Sequence, residues 1–382
     1  MPRPGYDDVV LVTGFPSLYA RKMVEEVLTS DPKALVYTVV MPKFAAVARA
    51  ELDALPAFDR GRVVVLEGDA AAMDLGLSGA EFRQLSREVD RIHHVAHASY
   101  VGVDRKTAHQ LNVGGAAEIL ELARAASSLR CLVFHSTAAV SGDRTGVVYE
   151  EDLDCGQSFH NVVDETRMRG ETLARRAIRE LPLAVVRPTT LVGDSGTGEV
   201  DRFDGPYLLM LLIVATPADI AIPLPGKGDQ PLNIVPIDYV VKASHAIGRN
   251  PAAPGRTFHL ADPHPLSARR VFDLVARAGG RRASRGYIPS NLAKALLRTP
   301  GIERFVRSPR AFVEQIAAAV RYDTRNTDQI LSSTDIRCPP FEVYVDQLVN
   351  VVQERVRSRR LARDESSEAE VEDPFALSLI HI

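Results

Sequence analysis

Residues 8–20, DVVLVTGFPSLYA, place a hydroxyl, a glycine and a second hydroxyl where an apolar run gives way to a helical pattern. A strand, a tight turn and a helix make an anion cradle, because first-turn amides lack intrahelical acceptors and point at whatever lies in front of them. Thr13 and Gly14 open the turn, and Ser17 and Leu18 stand where those amides would meet a phosphate. In a dinucleotide fingerprint of the form TGxxGxxG the later glycines fall on Ser17 and Ala20. Alanine is a tolerated third residue; a serine at the second narrows the approach of backbone to pyrophosphate.

The other runs supply further groups. An acid at the end of the second run would read a free ribose 2′-hydroxyl, but that run ends VVMPKF. Lys43, with Arg21 or Lys22 beyond the turn, is placed to meet a 2′-phosphate, which favours NADP over NAD. The alternative is that all three are solvated surface cations. Asp69, after the third run, is expected to hydrogen-bond adenine, and Ala96 with Ala98, after the fourth, to wall the cofactor.

A second chemistry-bearing stretch is FHNVVDETRMRGE, residues 159–171. Asn161 is a helix N-cap with Asp164 in the first turn, and Glu165 and Arg169, four apart, pair along one face.

These groups need a scaffold, and the chain alternates to provide one. Segments 8–14, 34–41, 62–69, 91–98, 130–137 and 183–193 are apolar almost throughout and read as strands. Helical patterns at 18–28, 80–89, 106–126 and from 161 to about 179 separate them. Buried strands alternating with helices predict an α/β fold, a doubly wound parallel sheet of Rossmann type, with a smaller, mostly helical substrate domain. The expected division is 1–193 with 234–262 for the dinucleotide-binding domain and 194–233 with 263–361 for the substrate region. Segments 222–247 and 255–263 are read as returns to the main sheet. Ser267 caps and Gly279 stops a helix over 266–280, and the acidic stretch 362–382 is expected to be a disordered tail.

Composition narrows the function. The chain has 382 residues, 46% hydrophobic and 25% charged, with a net charge of −3. Lys and Arg form no basic block, so nothing points to nucleic acid. Cys131, Cys155 and Cys338 are far apart and odd in number, as expected of reduced thiols in the cytoplasm; Cys131 lies in an apolar run and is read as core. His93, His94 and His97 cluster, but neighbours on a strand face opposite sides, so strand-end or buried roles are expected rather than a metal. The N-terminus lacks a signal-peptide apolar core. YLLMLLIVA at 207–215 is too short to span a bilayer, which needs about 20 residues. It reads as a core helix, or as the lining of a greasy substrate pocket. A small-molecule substrate and a monomer or homodimer are expected.

In order, VLEGDAAAMDLGLS, EVDRIHHVAHA, LNVGGAAEILELA, VFHSTAAVSGD, LAVVRPTTLVGDSGTG, LPGKGDQPLNIVPIDYVV and TFHLADP resemble the extended short-chain dehydrogenase/reductase family. The nearest branch is the thioester-reductase and fatty acyl-CoA reductase-like group, and the likeness spans roughly residues 8–265. IRCPPFEVYVDQLV at 336–349 resembles a C-terminal segment of the same group. The resemblance implies a cofactor at the carboxyl ends of the strands and a catalytic Ser/Thr, Tyr and Lys. Thr137 matches the hydroxyl that bonds the substrate carbonyl, Asn112 a buried Asn behind the site, and Pro188 with Thr189 the loop passing the nicotinamide. On N-x-Y-x-x-S-K, Asn161, Thr166 and the following Glu171 match, but Tyr falls on Val163 and Lys on Arg167.

Valine has no exchangeable proton, whereas the phenol it replaces serves as general acid, worth about 10²–10⁴-fold. Arginine keeps a cation and barely deprotonates. Thr137, His135, His160, Tyr100 or water are candidate substitutes. Two readings follow: a reductase moving hydride from NADPH to an acyl thioester or related carbonyl, the substrate carrying an acyl chain, or a non-catalytic relative binding dinucleotide or a lipid-like ligand. A sugar-nucleotide epimerase or dehydratase shares the fold but relies on the same absent Tyr.

Overall fold

The computed structural model describes residues 5–99, 102–203, 205–215, 224–225, 228–281, 287–288 and 319–365. Thirteen strands are described: β1 Asp8–Thr13, β2 Ala34–Val40, β3 Val63–Glu67, β4 Arg91–His94, β5 Cys131–His135, β6 Gly146–Val148, β7 Leu183–Pro188, β8 Thr190–Val192, β9 Leu224–Pro225, β10 Ile234–Pro236, β11 Thr257–Leu260, β12 Tyr287–Ile288 and β13 Val320–Tyr322. The helices are α1 Leu18–Ser30, α2 Ala45–Asp53, α3 Ala57–Arg60, α4 Gly79–Glu88, α5 Arg105–His109, α6 Gly115–Ala125, α7 Val162–Ala177, α8 Pro206–Ala215, α9 Ile237–Arg249, α10 Ala268–Ala278, α11 Arg325–Leu331 and α12 Phe341–Glu365.

Seven strands form one parallel sheet in the order β11-β7-β5-β4-β1-β2-β3. Every residue of β1, β2 and β7 is buried, because helices cover both faces and leave no solvated side to alternate with. One face packs on α1 and α9, the other on α4, α6 and α7. The strand order reverses between β1 and β4, where open α/β sheets hold ligands. The doubly wound α/β fold expected from the sequence is therefore the fold observed.

A third core joins α8, α10 and α12. Tyr207, Leu209, Met210 and Ile213 of α8 are buried in it, so the 207–215 run serves as a core helix. Ser267 caps α10 and Gly279 closes it, as expected. Two readings need correction. β10 does not return to the main sheet but pairs with β8, because the chain leaves the sheet plane after Pro188 and carries its partner away; β11 alone rejoins at the edge. The helix α12 continues to Glu365, four residues into the stretch read as tail.

The segment after α5 is a π-helical turn, Gln110–Gly114, and it fits against α7 where the side chain is smallest. A Cβ at Gly170 would run into the Asn112 carbonyl. One residue on, toward the sheet, Glu171 is fully buried and takes Arg187 of β7 in a forked pair, with Nη2–Oε1 at 2.6 Å and Nε 3.0 Å from both oxygens. Ser136 Oγ donates to Glu171 at 2.6 Å and Arg175 Nε at 2.9 Å. Burial pushes this carboxyl up, but Arg187, Arg175 and Ser136 overcome it and hold it below the usual range.

Removing one member of a buried pair leaves the other charge under-compensated, at a cost of about 3–5 kcal/mol. Arg187→Met is expected to lower the free energy of chemical unfolding by that amount, and a loss below about 1 kcal/mol would show that Glu171 does not rely on it.

Candidate active site

The strand, tight turn and helix form where the sequence places them. Gly14 takes φ +90°, and a Cβ there would lie 3.0 Å from the Ala96 nitrogen, so β1 and the end of β4 meet only through glycine. Thr13 Oγ1 accepts from the Val95 and Ala96 amides, both at 3.1 Å. Its own hydrogen is then free for His94 Nδ1, also at 3.1 Å. Burial, then Arg167, drop His94 to about 3, so the ring is neutral, and the two amides already on Thr13 Oγ1 select the tautomer whose Nδ1 accepts. Ser17 is the N-cap of α1, with Oγ accepting from Ala20 N. Leu18 N, the first amide of α1, donates to Asp201 Oδ2 at 2.8 Å. A carboxylate of this chain thus stands where a phosphate oxygen would.

The three cations separate. Arg21 pairs with Glu51 and Glu199 at 2.9 Å each, and Lys22 with Glu199 at 3.0 Å, Glu25 at 3.5 Å and Asp194 at 3.8 Å. Lys43 is exposed beyond β2 with its ammonium over the Phe44 ring. Asp69 is half-buried and accepts from Ala71 N at 2.9 Å, closing its own turn. Pro188 and Thr189 are buried at the end of β7, and Thr189 Oγ1 has no hydrogen-bond partner. The Nδ1 of His97, between Ala96 and Ala98, is likewise buried and unpartnered. An anion-holding helix end, a glycine-only approach and two orphaned polar atoms fit a dinucleotide.

Thr137 is half-buried at the head of a short turn, its oxygen accepting from Ala139 N at 3.2 Å, so its hydrogen is available for a carbonyl. Asn161 caps α7 from Asp164 N at 2.9 Å, and Arg169 pairs with Glu165 at 2.6 Å. Asn112 is buried, donates to Thr166 Oγ1 at 2.9 Å and accepts from Ala98 N at 2.8 Å. Val163, 4% exposed, packs with Ala98, Val103 and Ala108 in an apolar cluster. Arg167, 7% exposed, donates through Nη2 to the His135 carbonyl at 3.1 Å. Burial lowers the guanidinium to about 10, still charged at neutral pH.

The substitute proton donors fare unevenly. His135 turns into the core instead of the site: Tyr19 Oη lies 2.7 Å from its Nδ1, and its Nε2 is 3.1 Å from His93 Nδ1. His160 is exposed at the entrance to α7, and Tyr100 lies outside the described residues. Two residues escaped the sequence reading, Glu199 and Asp201, while His97 was read there only as a strand-end or buried histidine. Acids on alternate positions of GTGEVDR were the available signal for these two.

The male sterility protein family, whose model is an NAD-binding domain, matches residues 12–244, more than half of the chain. The glycine betaine reductase of Emericella nidulans is 29% identical over 226 residues, 57% of this chain and 17% of that protein. Fatty acyl-CoA reductase wat of Drosophila melanogaster is 24% identical over 277 residues, 62% of this chain and 53% of that one. The chain thus spans about half or less of these curated relatives. Among solved structures, the terminal R domain of the myxalamid PKS-NRPS pathway superposes with a TM-score of 0.78 at 22% identity, covering 93% of each chain; that likeness is one of fold.

The buried imidazoles give the fold an acid limit. Burial holds His94 and His135 at about 3 and His245 at about 4, below an unfolded value of about 6.5. The unfolded chain therefore takes up protons first, so stability present above about pH 6.5 is lost as pH falls toward the folded values. Denaturation between pH 6.5 and 5 is expected to show a loss of up to about 1.4 kcal/mol per pH unit for each histidine, with a smaller slope in His245→Leu. A flat profile across that window would contradict these burials.

Proposed function

Because the chain belongs to the male sterility protein family of NAD-binding domains, we propose that it binds NADP in preference to NAD and reduces an acyl thioester by two electrons, stopping at the aldehyde. The observation that carries this reading is Val163, a buried side chain in an apolar cluster at the position where, by resemblance, the family keeps its phenol. Thr137 and Arg167 remain at the carboxyl end of β5. Lys43, exposed beyond β2, supports the preference for a 2′-phosphate.

The bound dinucleotide supplies the hydride. Once the thioester carbon has gained it, negative charge sits on the former carbonyl oxygen. The Thr137 hydroxyl donates to that oxygen, and the fixed charge of Arg167 favours the anion in a low-dielectric setting. The oxyanion then re-forms C=O and expels a thiolate. A thiol has a pKa of about 8.5, so the leaving group departs without a proton donor. Reduction of an aldehyde is different. Its alkoxide is nearly as basic as the conjugate base of water, with a pKa of about 15.7, and must be protonated to become product. A site with Val163 supports the first step and starves the second.

The apolar packing of Val163 also favours a second reading, a dinucleotide-binding relative without turnover. One assay separates them. Supplied with NADPH and a simple alkyl thioester, the protein is expected to release aldehyde, trapped as its hydrazone, and to reduce added aldehyde at least about 10²-fold more slowly. Alcohol as the main product would overturn the two-electron reading. NADPH binding without turnover of any carbonyl would establish the second.

A further inference from the structure

The strap between β8 and α8 lies over the phosphate cradle and is tied down at several points. Gly193 N donates to Tyr207 Oη of α8 at 2.8 Å. Ser195 is held by Asp238 of α9, through N at 2.9 Å and Oγ at 2.7 Å. Glu199 reaches Arg21 and Lys22, Asp201 takes the Leu18 amide at 2.8 Å, and Arg202 Nη2 donates to Ser99 Oγ at 2.8 Å beyond β4. Two acids on alternate residues thus satisfy both the amide at the head of α1 and the cations one turn further along it.

A helix N-terminus carries partial positive charge and a phosphate is its natural complement, yet one carboxylate oxygen and one phosphate oxygen cannot share the same N–H. We propose that Asp201 is a built-in competitor for the dinucleotide pyrophosphate, so that cofactor binding requires the strap to release Leu18. The proposal rests on the dinucleotide reading above. It follows that the affinity observed is the intrinsic affinity reduced by the fraction of molecules in which the amide is free. It also follows that loading is coupled to the substrate region, because the strap runs directly into α8, whose Tyr207 holds Gly193. Glu199 adds to the effect, since a dinucleotide bearing a 2′-phosphate gains from Arg21 or Lys22 only as Glu199 gives them up.

The test is a calorimetric titration of the full chain with ADP, NADPH and adenosine, in the parent, Asp201→Asn and Asp201→Ala. Asparagine keeps an oxygen that accepts from Leu18 while removing the charge, so it preserves the strap if alanine unsettles the fold. If the amide is engaged nine-tenths of the time, Asp201→Ala binds ADP and NADPH about tenfold more tightly, Asp201→Asn lies between, and adenosine, which carries no phosphate, is unchanged. Equal or weaker binding of ADP and NADPH in both variants, with the parent binding, overturns the competitor role and leaves the dinucleotide reading intact. A parallel gain for adenosine also overturns it, because the effect would not act through phosphate. Failure of parent and variants alike to bind ADP and NADPH removes the dinucleotide reading and the proposal with it.

Discussion

The site depends on one buried charge pair. Glu171 and Arg187, both fully enclosed, tie α7 to β7, and the same carboxylate takes the Ser136 hydroxyl at the end of β5. Arg187 Nη1 lies 3.3 Å from His259 Nε2 on β11, and Arg175 extends the network to the carbonyls of Glu150 and Glu151. An ion pair this deep is weak as a source of stability, since desolvation offsets much of its attraction. Its geometry is what matters: the pair sets the position of α7 relative to the sheet edge, and with it the placing of Val163 and Arg167.

Given that frame, the chemistry follows from what α7 presents. Arg167 turns to the His135 carbonyl, and its charge helps keep His94, His97 and His135 neutral after burial has already done most of that work. A neutral His94 accepts from Thr13, and Thr13 in turn accepts from the amides that carry the backbone past Gly14. The turn after β1 and helix α7 are thus coupled electrostatically. Under the proposed function, the phenol-free wall at Val163 would act at the proton and the carboxylate on Leu18 at the cofactor.

The fold was legible because its signals are local. Strands apolar over their whole length, Asn161 and Ser267 as caps and Gly14 in the turn declare themselves within a few residues. The frame around the candidate residues was legible: Thr13 ends β1 and Gly14 follows it, Ser17 caps α1, Thr137 follows β5, Asn112 lies in the π-helical turn and Arg167 on α7. What escaped the sequence is long-range pairing of polar groups. Asp201 meets an amide 183 residues away, and Arg21 and Lys22 meet acids from the strap; neither leaves a periodicity. The departure of β10 from the main sheet was hidden for the same reason, since the pairing partner β8 is also displaced.

The central claim is that hydride reaches a thioester carbon in a site without a phenol. It is tested most directly with NADPH deuterated at both positions of the dihydronicotinamide C4, incubated with an alkyl thioester and the protein. The account predicts an aldehyde carrying one deuterium on its carbonyl carbon, released together with free thiol. Thiol released with no deuterium in the carbonyl product, while NADPH is bound, would contradict it.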